Sequence, residues 1–265
     1  MTTGSVEAGT VYLVGAGPGA ADLLTLRAAR LLGEADVVFH DALVPAEILA
    51  LAPRARLVAV GKRSGRLSTA QNFINKQLRD AARRHRIVVR LKGGDPMLFG
   101  RAHEEIDFLR RHAVRVEVVP GVTAALAASA ELRVSLTRRG AARSVSFVTP
   151  RVGAGEAPSR WIEAVLAADT AAIYMGAAEA PRIAAALIAA GKPGATPAVI
   201  LQNASLPGAR LLAGTLQGLP ALAQALARQA GEGPALILLG EAYRELAQSA
   251  ASAAEPAPER SSGNG

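Results

Sequence analysis

From Val11 onward, short β-branched runs alternate with longer amphipathic stretches, the mark of βα units around a mostly parallel sheet. Strands are predicted at Val11 to Val14, Val37 to His40, Leu57 to Val60, Ile87 to Leu91 and Val116 to Val119. Helical periodicity fills the intervals, including Asp22 to Glu34, with Asp22 as N-cap, and Ser68 to Arg84, where Ser68 and Gln71 have capping-box spacing. A second series places strands at Val145 to Thr149, Thr170 to Met175, Pro197 to Leu201, Arg210 to Gly214 and Ala235 to Leu239, and helices at Pro158 to Ala167, Ala180 to Ala190 and Leu216 to Gln229. Short connections among its last three strands favour hairpins, so this second sheet is expected to be mixed. The halves meet within Pro120 to Gly140, around a small-residue helix at Ala124 to Ala130. The expected organisation is an N-terminal αβα lobe over residues 10–122, a C-terminal αβα lobe over 123–246, and a disordered tail over 247–265, where Ala, Ser, Pro, Glu and Gly dominate.

Composition narrows the class. The chain has 265 residues, half of them hydrophobic, and no uncharged apolar run approaches the roughly 18 residues a membrane span needs. The opening MTTGSVEAGT lacks a basic start and apolar run, so no secretory signal is read and a cytoplasmic, soluble protein is expected. Cysteine is absent, and His40, His85, His103 and His112 lack metal-ligand spacing, so metal-free chemistry is expected. The charge is +8, from 30 Lys plus Arg against 22 Asp plus Glu, and Arg supplies 26 of those cations. A guanidinium fork suits planar anions, which admits an acidic partner. The accompanying 58 Ala point instead to compositional bias as the source of most of the Arg. Nucleic acid is disfavoured, because aromatics for base stacking are only 3% of the chain and the Arg residues form no dense run.

The chemistry gathers at the predicted carboxyl ends of strands. The first strand runs into Gly15-Ala16-Gly17-Pro18-Gly19-Ala20, which fits the loose dinucleotide pattern, with Asp41 at the spacing of a ribose-binding acid. Against that reading, Pro18 removes a backbone N–H from the loop. The fourth strand ends in Lys92-Gly93-Gly94-Asp95-Pro96, a second glycine loop where Asp95 can accept hydrogen bonds, face a cation or make an Asp-Pro turn. Asp41 follows the second strand and Lys62 the third, so both open on the same sheet edge as candidates for proton transfer. Arg101, Glu104, Arg138 and Arg139 are candidates for contact with an acidic substrate.

The ordered set VYLVGAGPGAADLLTLRAARLL, HDALV, VGKRSGRLSTAQNFIN, VVRLKGGDPMLFGR, VVPGVTAALA, SLTRRG, YMG, LQNASLP and PALILLGE resembles the uroporphyrinogen-III C-methyltransferases of the tetrapyrrole methylase family, over Thr10 to Leu246. The resemblance implies an α/β fold of two αβα lobes, a mostly parallel N-terminal sheet and a mixed C-terminal one, with S-adenosyl-L-methionine in a cleft between them. It implies cofactor contacts at Pro18, Gly93, Gly94, Asp95, Leu98, Thr123, Ala124, Met175 and Ala204. Asp41 matches the family's proton acceptor and Lys62 its proton donor, and Arg101, Glu104, Arg139 and Met175 match positions that hold the tetrapyrrole, Arg101 counting also among the catalytic residues. The implied reaction is two successive methylations of uroporphyrinogen III, at C2 and C7, giving precorrin-2 and S-adenosyl-L-homocysteine, without a metal. Sirohaem, cobalamin and haem d1 biosynthesis are the implied contexts, and a cytoplasmic homodimer of the stand-alone form is expected.

The chain departs from the family's common pattern at His40, at Gly100-Arg101-Ala102-His103-Glu104-Glu105, at Leu136-Thr137-Arg138-Arg139, at Phe147-Val148-Thr149-Pro150-Arg151 and at Ala204, changes that bear on substrate more than on cofactor. A sister methylase acting on another tetrapyrrole precursor, an NAD-dependent oxidoreductase and a non-catalytic binding protein stand as alternatives.

Overall fold

A computed structural model describes residues 9–60, 67–153, 155, 157, 159–229 and 233–254. They form two compact units: the described residues up to Ala127 together with Asn203–Gly208, and Ala128–Gln202 together with the described residues from Ala209 onward. The boundary expected between residues 122 and 123 thus falls inside the helix Ala124–Leu132, and the loop carrying Ala204 is returned to the first unit.

In the first unit, β1 (Thr10–Gly15), β2 (Val37–His40), β3 (Arg56–Ala59), β4 (Ile87–Lys92) and β5 (Arg115–Val119) pair in parallel in the order β3-β2-β4-β1-β5. Alternate side chains face opposite sides of the sheet. Val14, Val38, Val89 and Leu91 meet α1 (Leu26–Glu34) and α2 (Ala46–Leu49) on one side. Val11, Leu13, Val37, Phe39 and Val88 meet α3 (Leu67–Ala82) and α4 (Ala102–Arg111) on the other. Both faces are covered, which is why these strands read as nearly continuous apolar runs. The chain leaves the adjacent central strands β1 and β4 in opposite directions, so their carboxyl ends form a topological switch point, where open α/β sheets bind ligands. The helix α5 (Ala124–Leu132) follows β5.

The second unit carries β6 (Val145–Val148), β7 (Thr170–Tyr174), β8 (Pro197–Gln202), β9 (Arg210–Thr215) and β10 (Ala235–Gly240) in the order β6-β7-β10-β8-β9. Only β6 and β7 are parallel, so the sheet is mixed. One face packs on α6 (Trp161–Ala167), α7 (Ala180–Ala189) and α8 (Leu219–Arg228) through Trp161, Ile183, Leu187 and Leu226. The helix α9 (Arg244–Ala254) packs on β8 and β9.

The same device fixes strand register in both units. Asp36, just before β2, accepts the backbone N–H groups of Arg86 (2.9 Å) and Ile87 (2.8 Å) with one carboxylate oxygen. Asp169, just before β7, accepts those of Arg143 (2.8 Å) and Ser144 (3.0 Å) in the same way. These backbone donors, with the Ser144 hydroxyl, hold the Asp169 carboxyl below its usual range.

Two local expectations are corrected. Asp22 lies in a 3-10 turn, Ala21–Leu23, and α1 is capped by Thr25, whose side chain accepts from Ala28 N at 3.2 Å. The chain is extended at Leu24, so a carboxylate at Asp22 is one turn too early to reach the first free N–H groups of α1. The Ala- and Ser-rich segment after Leu246 is helical as far as Ala254, because alanine has the highest helix propensity and Ala247 is buried. Residues 255–265 lie outside the described residues, as does residue 158 at the predicted start of α6.

The strand ends of the first unit cross where side chains are missing. A Cβ on Gly15 would lie 2.6 Å from Gly121 Cα and 2.7 Å from the Gly94 carbonyl oxygen. Gly15→Ala is expected to lower stability by roughly 1–3 kcal/mol through overpacking. Gly33→Ala, at a helical position with nothing within 4 Å of the added atom, should raise it by about 0.5–1 kcal/mol. Urea unfolding of both variants checks the contrast.

Candidate active site

The two glycine loops are bonded to each other. Gly17 N donates to Gly94 O at 3.2 Å and Gly94 N to Gly17 O at 2.7 Å, both residues at positive φ. Ala16 N is taken by Lys92 O (2.7 Å) and Ala20 N by Ser205 Oγ (3.1 Å), and Pro18 has no N–H. Most donors of the first loop are therefore spent inside the protein, so it cannot cradle a pyrophosphate as the dinucleotide reading requires. Asp95 is also committed: Oδ1 accepts from Met97 N (2.8 Å) and Oδ2 from Gly121 N (2.9 Å), which ties the turn after β4 to the end of β5. Its carboxylate thus makes the Asp-Pro turn and braces the loops, and the cation-facing option is set aside.

What these bonds leave open is backbone and small apolar surface. Gly93 is exposed with nothing within 4 Å of where a Cβ would project, and such a Cβ on Gly94 would meet only Thr123 Cα, at 3.9 Å. Pro18 and Leu98 are half-buried, Thr123 is buried and Ala124 opens α5. Ala204 is buried between Asn203 (φ 56°) and Ser205 (φ 71°), two non-glycine residues in the left-handed region. Leu206, two residues on, packs on the first loop: a Cβ on Gly19 would come 2.7 Å from its Cγ. Pro18, Gly93, Gly94, Asp95, Leu98, Thr123, Ala124 and Ala204 thus all belong to the first unit. Met175 belongs to the second, where it follows β7 at φ 56°. There it lines a groove of about 900 Å3 with Arg151, Gln202, Gly233 and Ala221, Ala223 and Ala227 of α8. Arg139 is exposed in that unit, on the turn closed by Arg138 N to Ala142 O at 2.7 Å.

Beneath this surface, on the α3 and α4 side of the first sheet, lies a buried charged cluster. Arg90 and Lys92 occupy alternate positions of β4, and Glu105 of α4 stands between them. Arg90 Nε donates to Glu105 Oε1 at 3.1 Å and Lys92 Nζ to Glu105 Oε2 at 3.0 Å, with Glu105 fully buried. Gln71 of α3 donates to Glu105 Oε1 (3.1 Å) and to Asn75 Oδ1 (3.0 Å), so its side chain serves this cluster and not a helix cap. The remaining arm of Arg90, Nη2, reaches Asp41 Oδ1 at 2.5 Å. Burial opposes the charge on Arg90, but Asp41 and Glu105 outweigh it and hold its pKa above the ordinary value. Burial, reinforced by the neighbouring Arg90 cation, pushes Lys92 down despite Glu105.

Asp41 is thus brought to the site, 31% exposed, with one oxygen held by Arg90. That pairing occupies Oδ1 and leaves Oδ2 as the accessible oxygen. Lys62 lies outside the described residues. Arg101, at φ 54°, precedes α4, and its guanidinium grips Glu104 through Nε (2.6 Å) and Nη2 (2.7 Å), so these two expected substrate contacts meet each other. Sequence reasoning missed Arg90, Lys92, Glu105, Gln71 and Asn75. The signal was present in Ile87-Val88-Val89-Arg90-Leu91-Lys92, where two cations share one face of a strand otherwise fit for burial on both sides.

The protein-family description of tetrapyrrole (corrin/porphyrin) methylases matches residues 10–220. A uroporphyrinogen-III C-methyltransferase from Pseudomonas aeruginosa PAO1 is 43% identical over 238 residues, 90% of this chain and 96% of that protein. A siroheme synthase from Pseudomonas putida F1 is 44% identical over 236 residues, which cover 89% of this chain but 50% of the relative, so the chain spans about half the length of that enzyme. Among solved structures, uroporphyrin-III C-methyl transferase from Thermus thermophilus, complexed with S-adenyl homocysteine, superposes with a TM-score of 0.75 at 40% identity, covering 89% of this chain and all of the other.

Removing Glu105 leaves two buried cations facing each other. Glu105→Ala is expected to cost about 3–5 kcal/mol. Exposed pairs such as Arg115 with Glu117, at 73% and 41% side-chain exposure, should cost under about 1 kcal/mol when broken. Denaturant unfolding of Glu105→Ala and Glu117→Ala compares the two.

Proposed function

The chain belongs to the tetrapyrrole methylase family, and from that membership we propose that it is an S-adenosyl-L-methionine-dependent C-methyltransferase that converts uroporphyrinogen III to precorrin-2 by methylation at C2 and then C7. The observation that carries the reading is the match to a uroporphyrinogen-III C-methyltransferase across 96% of that protein's length, together with a first unit whose glycine loops expose backbone and small apolar groups. Such a surface suits a ligand held by shape and backbone contact. When bound, the cofactor supplies an activated methyl on a sulfonium sulfur, and the bond electrons remain with sulfur as S-adenosyl-L-homocysteine.

The protein's work is then alignment and proton management. Pro18, Gly93, Gly94, Asp95, Leu98, Thr123, Ala124 and Ala204 in the first unit, and Met175 in the second, are proposed to hold the cofactor. Asp95 does so indirectly, by fixing the turn on which Gly93 and Gly94 stand. As the pyrrole carbon gains a methyl group, the ring system becomes cationic and must lose a proton. Among the described residues nothing holds the second carboxylate oxygen of Asp41, which is partly exposed, and Asp41 is proposed to accept that proton. Lys62 is proposed to return a proton. The substrate's carboxylates are proposed to be met by Arg101, with Glu104 orienting its guanidinium, and by Arg139, with Met175 against the macrocycle.

No helix among the described residues is long and apolar enough to cross a membrane. A homodimer in the cytoplasm, feeding sirohaem, cobalamin or haem d1 synthesis, is part of the same proposal, and light scattering tests its mass.

Anaerobic incubation with S-adenosyl-L-methionine and enzymatically generated uroporphyrinogen III should add two methyl masses to the substrate and release S-adenosyl-L-homocysteine. Absence of any mass gain overturns the proposal, and turnover only of an already methylated precursor reassigns the enzyme to a sister reaction. Asp41→Ala should suppress turnover by roughly 100-fold or more. The same variant should keep the stabilisation of about 2.7 kcal/mol that S-adenosyl-L-homocysteine gives at 100 times its Kd. Loss of that stabilisation with intact turnover would refute the role given to Asp41.

A further inference from the structure

We infer that Arg90 is a positioning residue for Asp41, and that Glu105, Lys92 and Gln71 form the buried mount that fixes Arg90 for that task. The inference rests on the reading of Asp41 as proton acceptor and goes beyond it, because these residues lie beneath the site surface and are too buried to meet substrate.

Asp41 follows directly on the short strand β2, and its own backbone is held by Asp41 N to Leu91 O (3.3 Å) and Val44 N to Asp41 O (3.2 Å). Nothing in those bonds fixes the carboxylate. Among the described residues, the carboxylate of Asp41 is held by Arg90, Nη2 on Oδ1 at 2.5 Å. Arg90 reaches it from the neighbouring strand β4, where its side chain is 4% exposed and has little freedom of its own. Its Nε is anchored on Glu105, and its Nη1 donates to Leu91 O at 3.2 Å. The guanidinium plane is therefore fixed at separate points, and the Nη2 edge is left aimed at Asp41.

The charges explain the remaining members. Arg90 alone between Asp41 and Glu105 would join one cation to two carboxylates. Lys92, on the other oxygen of Glu105, restores balance, so Asp41 faces a cation whose inner partner is already neutralised. Gln71 completes the shell of Glu105 and locks its rotamer. Oδ1 is thereby occupied and Oδ2 is the oxygen left to receive a proton. A lysine at position 90 could not serve both carboxylates, because it lacks the rigid fork.

Arg90→Met is the informative variant, since it leaves the buried Lys92–Glu105 pair balanced. In the anaerobic methyl-transfer assay kcat is expected to fall roughly 10- to 100-fold, as a misaligned acceptor requires, with KM for the tetrapyrrole and the affinity for S-adenosyl-L-homocysteine unchanged. Arg90→Lys should recover part of the loss, and it carries the test if Arg90→Met does not fold. In parallel, the side-chain carboxyl-carbon NMR resonance of Asp41, assigned with Asp41→Asn, should move in Arg90→Met and stay in place in Arg115→Gln. An unchanged kcat, a change confined to KM, or an Asp41 resonance that ignores Arg90 overturns the inference. If the unaltered protein transfers no methyl group, the proposed function fails instead, and the resonance alone decides whether Arg90 holds Asp41.

Discussion

Two cations on one face of a buried strand must be neutralised before that strand can be covered. In the first unit this constraint is met by two carboxylates, Glu105, placed by α4 between Arg90 and Lys92, and Asp41 at the outer edge of Arg90. Isolated charges in such a place carry a desolvation cost of several kcal/mol each, which only close, well-bonded partners offset. Much follows from that requirement. The helix α4 must dock with Glu105 inward, which sets Arg101 and Glu104 at its exposed start. Gln71 must face the same point, which fixes the rotation of α3. The edge of Arg90 not used by Glu105 then meets the end of β2, where Asp41 stands. Hydrophobic residues at positions 90, 92 and 105 together would pack the same interface without a buried charge, but they would leave Asp41 unheld.

The glycine loops above the cluster follow a different economy. Their hydrogen bonds run to one another, to Ser205 and to Asp95, and the surface they leave is low in free donors. That suits methyl transfer from a sulfonium to an electron-rich carbon, where both partners are already reactive and the protein chiefly holds them in line. A hydride-transferring enzyme binding a pyrophosphate needs the opposite arrangement, with loop N–H groups directed outward. The same glycine spelling thus serves unlike ends, and the difference lies in where the donors of Ala16, Gly17 and Ala20 go.

Much of the fold was legible because it rests on periodicity. Both sheets, their parallel and mixed character and the positions of their strands follow from apolar runs and from the lengths of the intervals between them. The gathering of Asp41 with the glycine loops followed from strand direction alone. What was not legible depends on pairing at a distance. Asp95 reads identically as a solvated turn, a cation ligand or a brace, until Gly121 arrives from another strand to take its second oxygen. Ala204 reads as part of the second half, because no local pattern announces that the loop after β8 packs on the first unit through Ser205 and Leu206. Thr25 was passed over for Asp22 because both are good caps by type, and only the extended backbone at Leu24 separates them. The α9 helix was hidden by composition, since alanine enriches both disordered tails and helices.

The arginine excess shows why residue type without burial is a weak guide. Arg101, Arg160, Arg182 and Arg244 each pair with a glutamate three positions away, exposed to solvent, where such pairs contribute little. By composition Arg90 is indistinguishable from them. Its difference is that it sits inside a sheet with carboxylates on two sides, in a geometry that a planar five-donor fork satisfies and an ammonium does not. Lys92, which needs to meet only one oxygen, is one of 4 lysines in a chain with 26 arginines. Compositional bias toward arginine would favour Arg at both positions, whereas at position 92 a single carboxylate oxygen is the partner, which an ammonium satisfies without a fork.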